Sequence, residues 1–210
     1  MNSHGNIGWR SLVIGALLSA ALAGVAQARE IYHPVPYQSQ RVLACNPNYL
    51  CGYTAANMLA AYNGHTVPTA DSLRRMAVSE KGEECPHSLS NMTNYMEAAQ
   101  DVGGAPAAQV RYMTFDDLKN AVYAGSPAAV NLDYGALGGY RLAKWSGGHT
   151  VVVTGFSESR GEWFIHDPLG DVNGSGAYRV IPSSVFREAV ASLYRKAGGS
   201  GKYFEVLTMH

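Results

Sequence analysis

No apolar run in this chain reaches the roughly 20 residues that a membrane-spanning helix needs. The longest, Ser11 to Val25, covers about 15. Charge is scarce too: 15% of the residues are Asp, Glu, Lys or Arg, and 16 acidic groups balance 16 basic ones. With no basic stripe and no charged tail, a nucleic-acid partner is excluded. The seven histidines fall in no His-Glu-x-x-His motif, and the three cysteines in no Cys-x-x-Cys, so neither a metal nor another cofactor is implied. Gly103-Gly104, Gly138-Gly139 and Gly198-Gly199 do not follow a strand-to-helix pattern, which leaves no phosphate loop. There is no internal repeat, low-complexity tract or linker. What remains is a chain 47% apolar, long enough for one globular domain with its own core.

The first 28 residues stand apart from that domain. Arg10 gives a positive start, the uncharged run follows, and Ala26-Gln27-Ala28 places small residues where a signal peptidase reads them. The expected organisation is a signal peptide over 1–28 and one domain over 29–210. The mature protein would be periplasmic or secreted, with no membrane span; oligomeric state is not legible. In that oxidising compartment, Cys45, Cys51 and Cys85 leave one thiol over.

The spacing predicts helices in the first half: Cys51 to Tyr62 with Ala55, Met58, Leu59 and Tyr62 at helical intervals, then Thr69–Val78 and Ser88–Gln100. Another starts at the Thr114 capping box and stops at Gly125. Strands are predicted afterwards over 127–134, 149–156, 162–167, 177–181 and 202–209, with a helix over 183–196 between the last two. Helices first and an antiparallel sheet afterwards define an α+β domain. The two lobes are expected to share one core, with a cleft between them.

Chemistry concentrates at three positions. Cys51 sits where a loop passes into a helix, and the unpaired amides and dipole there favour a thiolate. The Cys51 amide also points where an oxyanion would form, and Gly52 keeps the approach to sulfur open. His149 opens one predicted strand and Asp167 closes the next. Counted from a turn centred near Glu158, they lie nine residues away on either side. A simple hairpin sets them directly opposite, with β-carbons roughly 5 Å apart. The carboxylate then fixes the imidazole tautomer and leaves the other nitrogen for a thiol. His166 alternates to the other face and should point away. The aromatic, Gly-rich stretch with Tyr134, Tyr140 and Trp145 reads either as a mobile wall of the cleft or as packing at a loop base.

Cys51-Gly52, then Gly148-His149 ahead of an apolar strand, then His166-Asp167-Pro168 resemble the bacteriocin-processing peptidase family, part of the papain-like clan of cysteine peptidases. The resemblance covers most of the chain after residue 35. It implies a papain-like fold, a peptide or protein substrate, and a Cys-His-Asp thiolate mechanism. Within Val35 to Gln40, similar to the first strand of such domains, it implies Gln40 as oxyanion donor, with Gln38 as rival. If Cys51 is the free thiol, Cys45 and Cys85 remain to pair. That pairing is preferred because a Cys45–Cys51 bridge would remove the nucleophile, although spacing does not decide connectivity. Two other functions stay open: a non-catalytic papain-like binding module in the cell envelope, and a transglutaminase-like acyl transferase.

Overall fold

The computed structural model describes residues 29–43, 47–105 and 107–209. The expected signal peptide and Cys45 lie outside the described residues. The strands are β1 (Glu30–Tyr32), β2 (Gln109–Met113), β3 (Ala128–Asp133), β4 (Gly148–Ser157), β5 (Glu162–His166), β6 (Arg179–Pro182) and β7 (Phe204–Thr208). They form one seven-stranded sheet in the order β2-β7-β3-β4-β5-β6, with β1 paired to the far end of β4. Every pairing is antiparallel.

The helices are α1 (Cys51–Tyr62), α2 (Ala70–Lys81), α3 (Met92–Gly103), α4 (Phe115–Tyr123) and α5 (Ser183–Lys196). The expected α+β architecture holds, but the single shared core does not. A strand's side chains alternate between faces, and both faces of this sheet are covered. Ala129, Val152 and Leu207 face α1, α2 and α3. Val130, Leu132, Val151 and Val153 face a second core built on Phe186, Val190 and Leu118 from α5 and α4.

Helix α1 is buried from Cys51 through Ala60. A helix apolar all round belongs inside, and this one is enclosed by the sheet, α2 and α3. Thr69 and Ser72 form the capping box of α2, and Thr114 and Asp117 that of α4. Helix α3 begins later than its apolar spacing suggests: Asn91, rather than Ser88, caps it by accepting from the Asn94 amide. The freed segment, residues 82–91, is a loop.

Two edge strands depart from expectation. Residues 35–40 are not a strand, because Pro34 and Pro36 lack the N–H a ladder requires. Chain entry is made by β1 instead, and Gln40–Val42 is a 3-10 turn. Strand β2 is mostly exposed and shows no apolar alternation; its pairing with β7 defines it.

The β4–β5 register decides the site. Ser157, Phe156 and Gly155 pair with Glu162, Trp163 and Phe164, but Val153 and Val152 then pair with Ile165 and His166. Thr154 is the extra residue of a β-bulge. Continued one step, the shifted register sets Asp167 across from Val151, on the same face as His149 and one pair along. Without the bulge Asp167 would turn to the opposite face. The direct opposition expected from a simple hairpin is therefore corrected to a diagonal one. At the bulge β1 runs so close that a Cβ on Gly155 would lie 2.2 Å from the Ile31 carbonyl oxygen.

Candidate active site

Cys51 is the first residue of α1 and is fully buried. Among the described residues it is the free cysteine. Its sulfur lies 3.8 Å from the Thr150 hydroxyl and shares a side-chain hydrogen bond with His149. His149 Nε2 is 2.8 Å from Asp167 Oδ1, which leaves Nδ1 for the thiol. Tyr134 and Trp145 close edge-on around the imidazole, with ring centroids 4.8 and 6.0 Å away. Cys51, His149 and Asp167 thus meet with His149 between the other two, each less than 3% exposed.

Burial alone would push the Cys51 thiol up. The hydrogen bond and positive charge of His149, together with the Thr150 amide, outweigh it and hold the thiol below its ordinary value. Burial likewise works against an imidazolium at His149, yet the charge and hydrogen bond of Asp167, then those of Cys51, raise it to about 9. Both shifts favour one state, a thiolate facing an imidazolium.

Asp167 is equipped to remain ionised. Burial opposes its charge, but His149 and the Leu169 amide satisfy Oδ1, and Tyr134 and Arg179 satisfy Oδ2, so it stays below the usual carboxylate range. Arg179 also donates to the Tyr140 carbonyl, 2.5 Å away, and the Tyr134 hydroxyl accepts from the Leu142 amide. Asp133 accepts from the Gly135 amide, Ser192 and Lys196. Residues 134–145 are consequently pinned; they pack Tyr134 and Trp145 against His149 and do not line the cavity at Cys51, which fits packing at a loop base and not a mobile wall.

The cavity at Cys51 has a volume of about 180 Å³. Leu89, Ser90 and Tyr95 line it together with Leu193, Asn131, Gly148 and Thr150. Larger hollows of about 460 and 360 Å³ do not reach Cys51. Glu80 anchors the Ser90 part of the Cys51 cavity. It accepts from Tyr53, from Ser90 at 2.9 Å and from Asn94 at 2.5 Å. Burial would raise this carboxyl, but those bonds bring it below its ordinary value.

Gly52 has a different role from the one expected. A Cβ there would lie 2.0 Å from the Tyr95 ring. The glycine admits that ring, which packs edge-on to Tyr53 at 4.8 Å. Gly52→Ala should therefore cost about 1–3 kcal/mol through overpacking and lower the thermal midpoint. An unchanged midpoint in a thermal melt would refute this packing role.

The glutamines also differ from expectation. Gln38 is structural: it accepts from Asn57 and donates to the Thr69 carbonyl. Gln40 does not line the cavity; its Nε2 donates to the Pro47 carbonyl at 2.6 Å, and its buried Oε1 has no partner among the described residues. His166 points away from His149, as alternation requires: Nε2 donates to the Val35 carbonyl and Nδ1 accepts from the Tyr178 amide. Tyr134 was read only as part of an aromatic stretch, and Arg179, Thr150 and Asn131 escaped the sequence reading. Thr150 had one signal, adjacency to His149; Arg179 and Asn131 had none. Among the described residues no group of three His, Cys, Asp or Glu side chains is placed to hold a metal ion.

Residues 32–202 match the model of the Peptidase_C39-like family. The chain belongs to that family and is by that membership a cysteine peptidase, which bears out the resemblance carried by Cys51, His149 and Asp167 at the family level. Among solved structures, a protein assigned as a C39-like peptidase from Bacillus anthracis is 18% identical, covers 87% of this chain and 98% of its own, and superposes with a TM-score of 0.58, a likeness of fold. Xylellain, a cysteine protease from Xylella fastidiosa, is 13% identical over 76% of this chain and 78% of its own, at a TM-score of 0.48. No curated protein matches the chain.

Proposed function

We propose that the chain hydrolyses a peptide bond through a thioester on Cys51. The observation that carries this reading is the buried series Cys51–His149–Asp167, in which the thiol is held low and the imidazole high. The thiolate attacks the scissile carbonyl carbon. The Cys51 amide, among the unpaired N–H groups of a helix start, donates to the oxyanion. His149 Nδ1–H protonates the leaving amine as the C–N bond breaks. The neutral imidazole then takes a proton from water, which attacks the thioester and releases the acid and the thiol. Asp167 orients His149 and stabilises its charge throughout. Gln40 Nε2, which gives one N–H to the Pro47 carbonyl, has a second N–H for the oxyanion.

The same proposal includes export. Residues 1–28 would be removed, and the enzyme would act in the periplasm or outside the cell on an envelope or secreted peptide or protein. The preferred Cys45–Cys85 bridge fits that setting, since Cys51 is free and Cys85 is engaged. It would tie the segment before α1 to the loop that carries Leu89 and Ser90.

Residues 29–210, incubated with a diverse peptide mixture, should yield new termini by mass spectrometry, and iodoacetamide should block their appearance. Products joined to an added amine in place of free acids would instead establish acyl transfer. No product, with Cys51 inert to alkylation, would leave the binding-module reading and refute hydrolysis.

A further inference from the structure

One polar group of the Cys51 cavity has no part in the proposed hydrolysis. Asn131 on β3 pairs in register with Thr150 on β4. Its Oδ1 accepts from the Thr150 hydroxyl at 2.6 Å. In this structure the amide stands with its oxygen toward Thr150 and its nitrogen away from it. Asn131 Nδ2 makes no hydrogen bond to the described residues, although the residue lines the cavity.

The other polar groups around it are occupied. The Thr150 hydroxyl donates to Asn131 and faces the Cys51 thiol. The Ser90 hydroxyl donates to Glu80. His149 is committed to Asp167 and Cys51. Leu89, Leu193 and the Tyr95 ring make the sides apolar, and no Lys, Arg, Asp or Glu lines the space.

We propose that this cavity receives one uncharged substrate side chain bearing a hydrogen-bond acceptor, an amide or hydroxyl as in Gln, Asn or Thr, and that Asn131 Nδ2 donates to it. The inference rests on Cys51 being the nucleophile, which places this side chain beside the scissile bond. A carboxylate is disfavoured because the Cys51 thiolate borders the cavity and Glu80 lies behind Ser90, while the one cation on the walls, the His149 imidazolium, is already paired with Asp167 and that thiolate. An ammonium finds no carboxylate on the walls, and the Thr150 and Asn131 oxygens are already paired. A purely apolar side chain fills the space but covers Nδ2 without a partner, the kind of loss a polar site uses to discriminate.

The test is a positional-scanning peptide library across the residues flanking the cleaved bond, read as kcat/KM for wild type and Asn131→Asp. The substitution keeps an oxygen for Thr150 and nearly the same shape while replacing the donor by an acceptor. At one position wild type should prefer Gln, Asn or Thr over an apolar or charged residue by about tenfold or more. Asn131→Asp should lose that preference and gain on Lys at the same position. Asn131→Leu, a second variant against misfolding of the first, should turn the preference apolar. Labelling of Cys51 by iodoacetamide reports whether each variant keeps its nucleophile. A wild type indifferent at every position, or variants that slow all peptides equally with the ranking unchanged, would overturn the inference while hydrolysis stands. Failure to cleave any peptide would overturn the hydrolysis reading, and this inference with it.

Discussion

Cys51→Ser and His149→Ala should each lower kcat by about 10⁴-fold or more, and the double variant should be no slower than the worse single one. Residues that act as one unit lose their whole contribution when any member goes. In this site the coupling is physical: the thiol lies low because of His149, and Cys51 contributes to raising His149. A serine hydroxyl at position 51 would remain uncharged beside that imidazole. The Cys51→Ser change is nearly isosteric, so the thermal midpoint should hardly move, which separates loss of chemistry from loss of fold. Steady-state kinetics on a peptide found in the cleavage screen checks this. Losses that multiply in the double variant would mean that the two side chains act independently.

The second large effect concerns Asp167, whose replacement should act on rate, pH profile and stability together. Asp167→Asn removes the charge that, after burial, is the largest influence on His149, and kcat/KM should fall by about 10²–10⁴-fold. The sign of the pH effect follows from the two shifts. The thiolate appears as pH rises through the lowered value of Cys51, and the imidazolium disappears as pH rises through about 9 at His149. Wild type should therefore show a bell whose alkaline limb falls near pH 9. In Asp167→Asn that limb should move to lower pH, because the anion that raised His149 is gone. Arg179 also loses its buried carboxylate partner, 3.1 Å away. Removing one member of such a pair costs about 3 kcal/mol or more, to be read from denaturant unfolding. An unchanged alkaline limb would show that Asp167 does not set the charge of His149.

Much of this was legible because local rules and tertiary packing agree. The bounds of α1 and α5 follow from helical spacing and end signals, and the capping boxes at Thr69 and Thr114 from their side chains. The three central site residues were legible from loop-to-helix and strand-end positions. What escaped depends on contacts distant in sequence. Arg179 reaches Asp167 only because β6 lies beside β5. Asn131 enters the cavity through the β3–β4 register. The Thr154 bulge has one local mark, Gly155 inside a strand pattern, but its effect, turning Asp167 to the face of His149, depends on the pairing with β5. Gly52 was read as an open approach to sulfur because nothing nearby in sequence announces the Tyr95 ring. The 82–91 loop, held by Glu80 through Ser90 and Asn94, interrupts an apolar spacing that otherwise reads as helix.

The central claim is a thiolate–imidazolium pair between Cys51 and His149 before any substrate binds. Its most direct test is the rate of Cys51 alkylation by iodoacetamide from about pH 4 to pH 10, in wild type and His149→Ala, with the labelled peptide mapped by mass. An ordinary thiol titrates near 8.5 and reacts little at about pH 5. Rapid labelling of Cys51 at about pH 5 in wild type, abolished by His149→Ala, is the expected result. A wild-type profile that rises only near pH 8.5 and coincides with that of the variant would contradict the account.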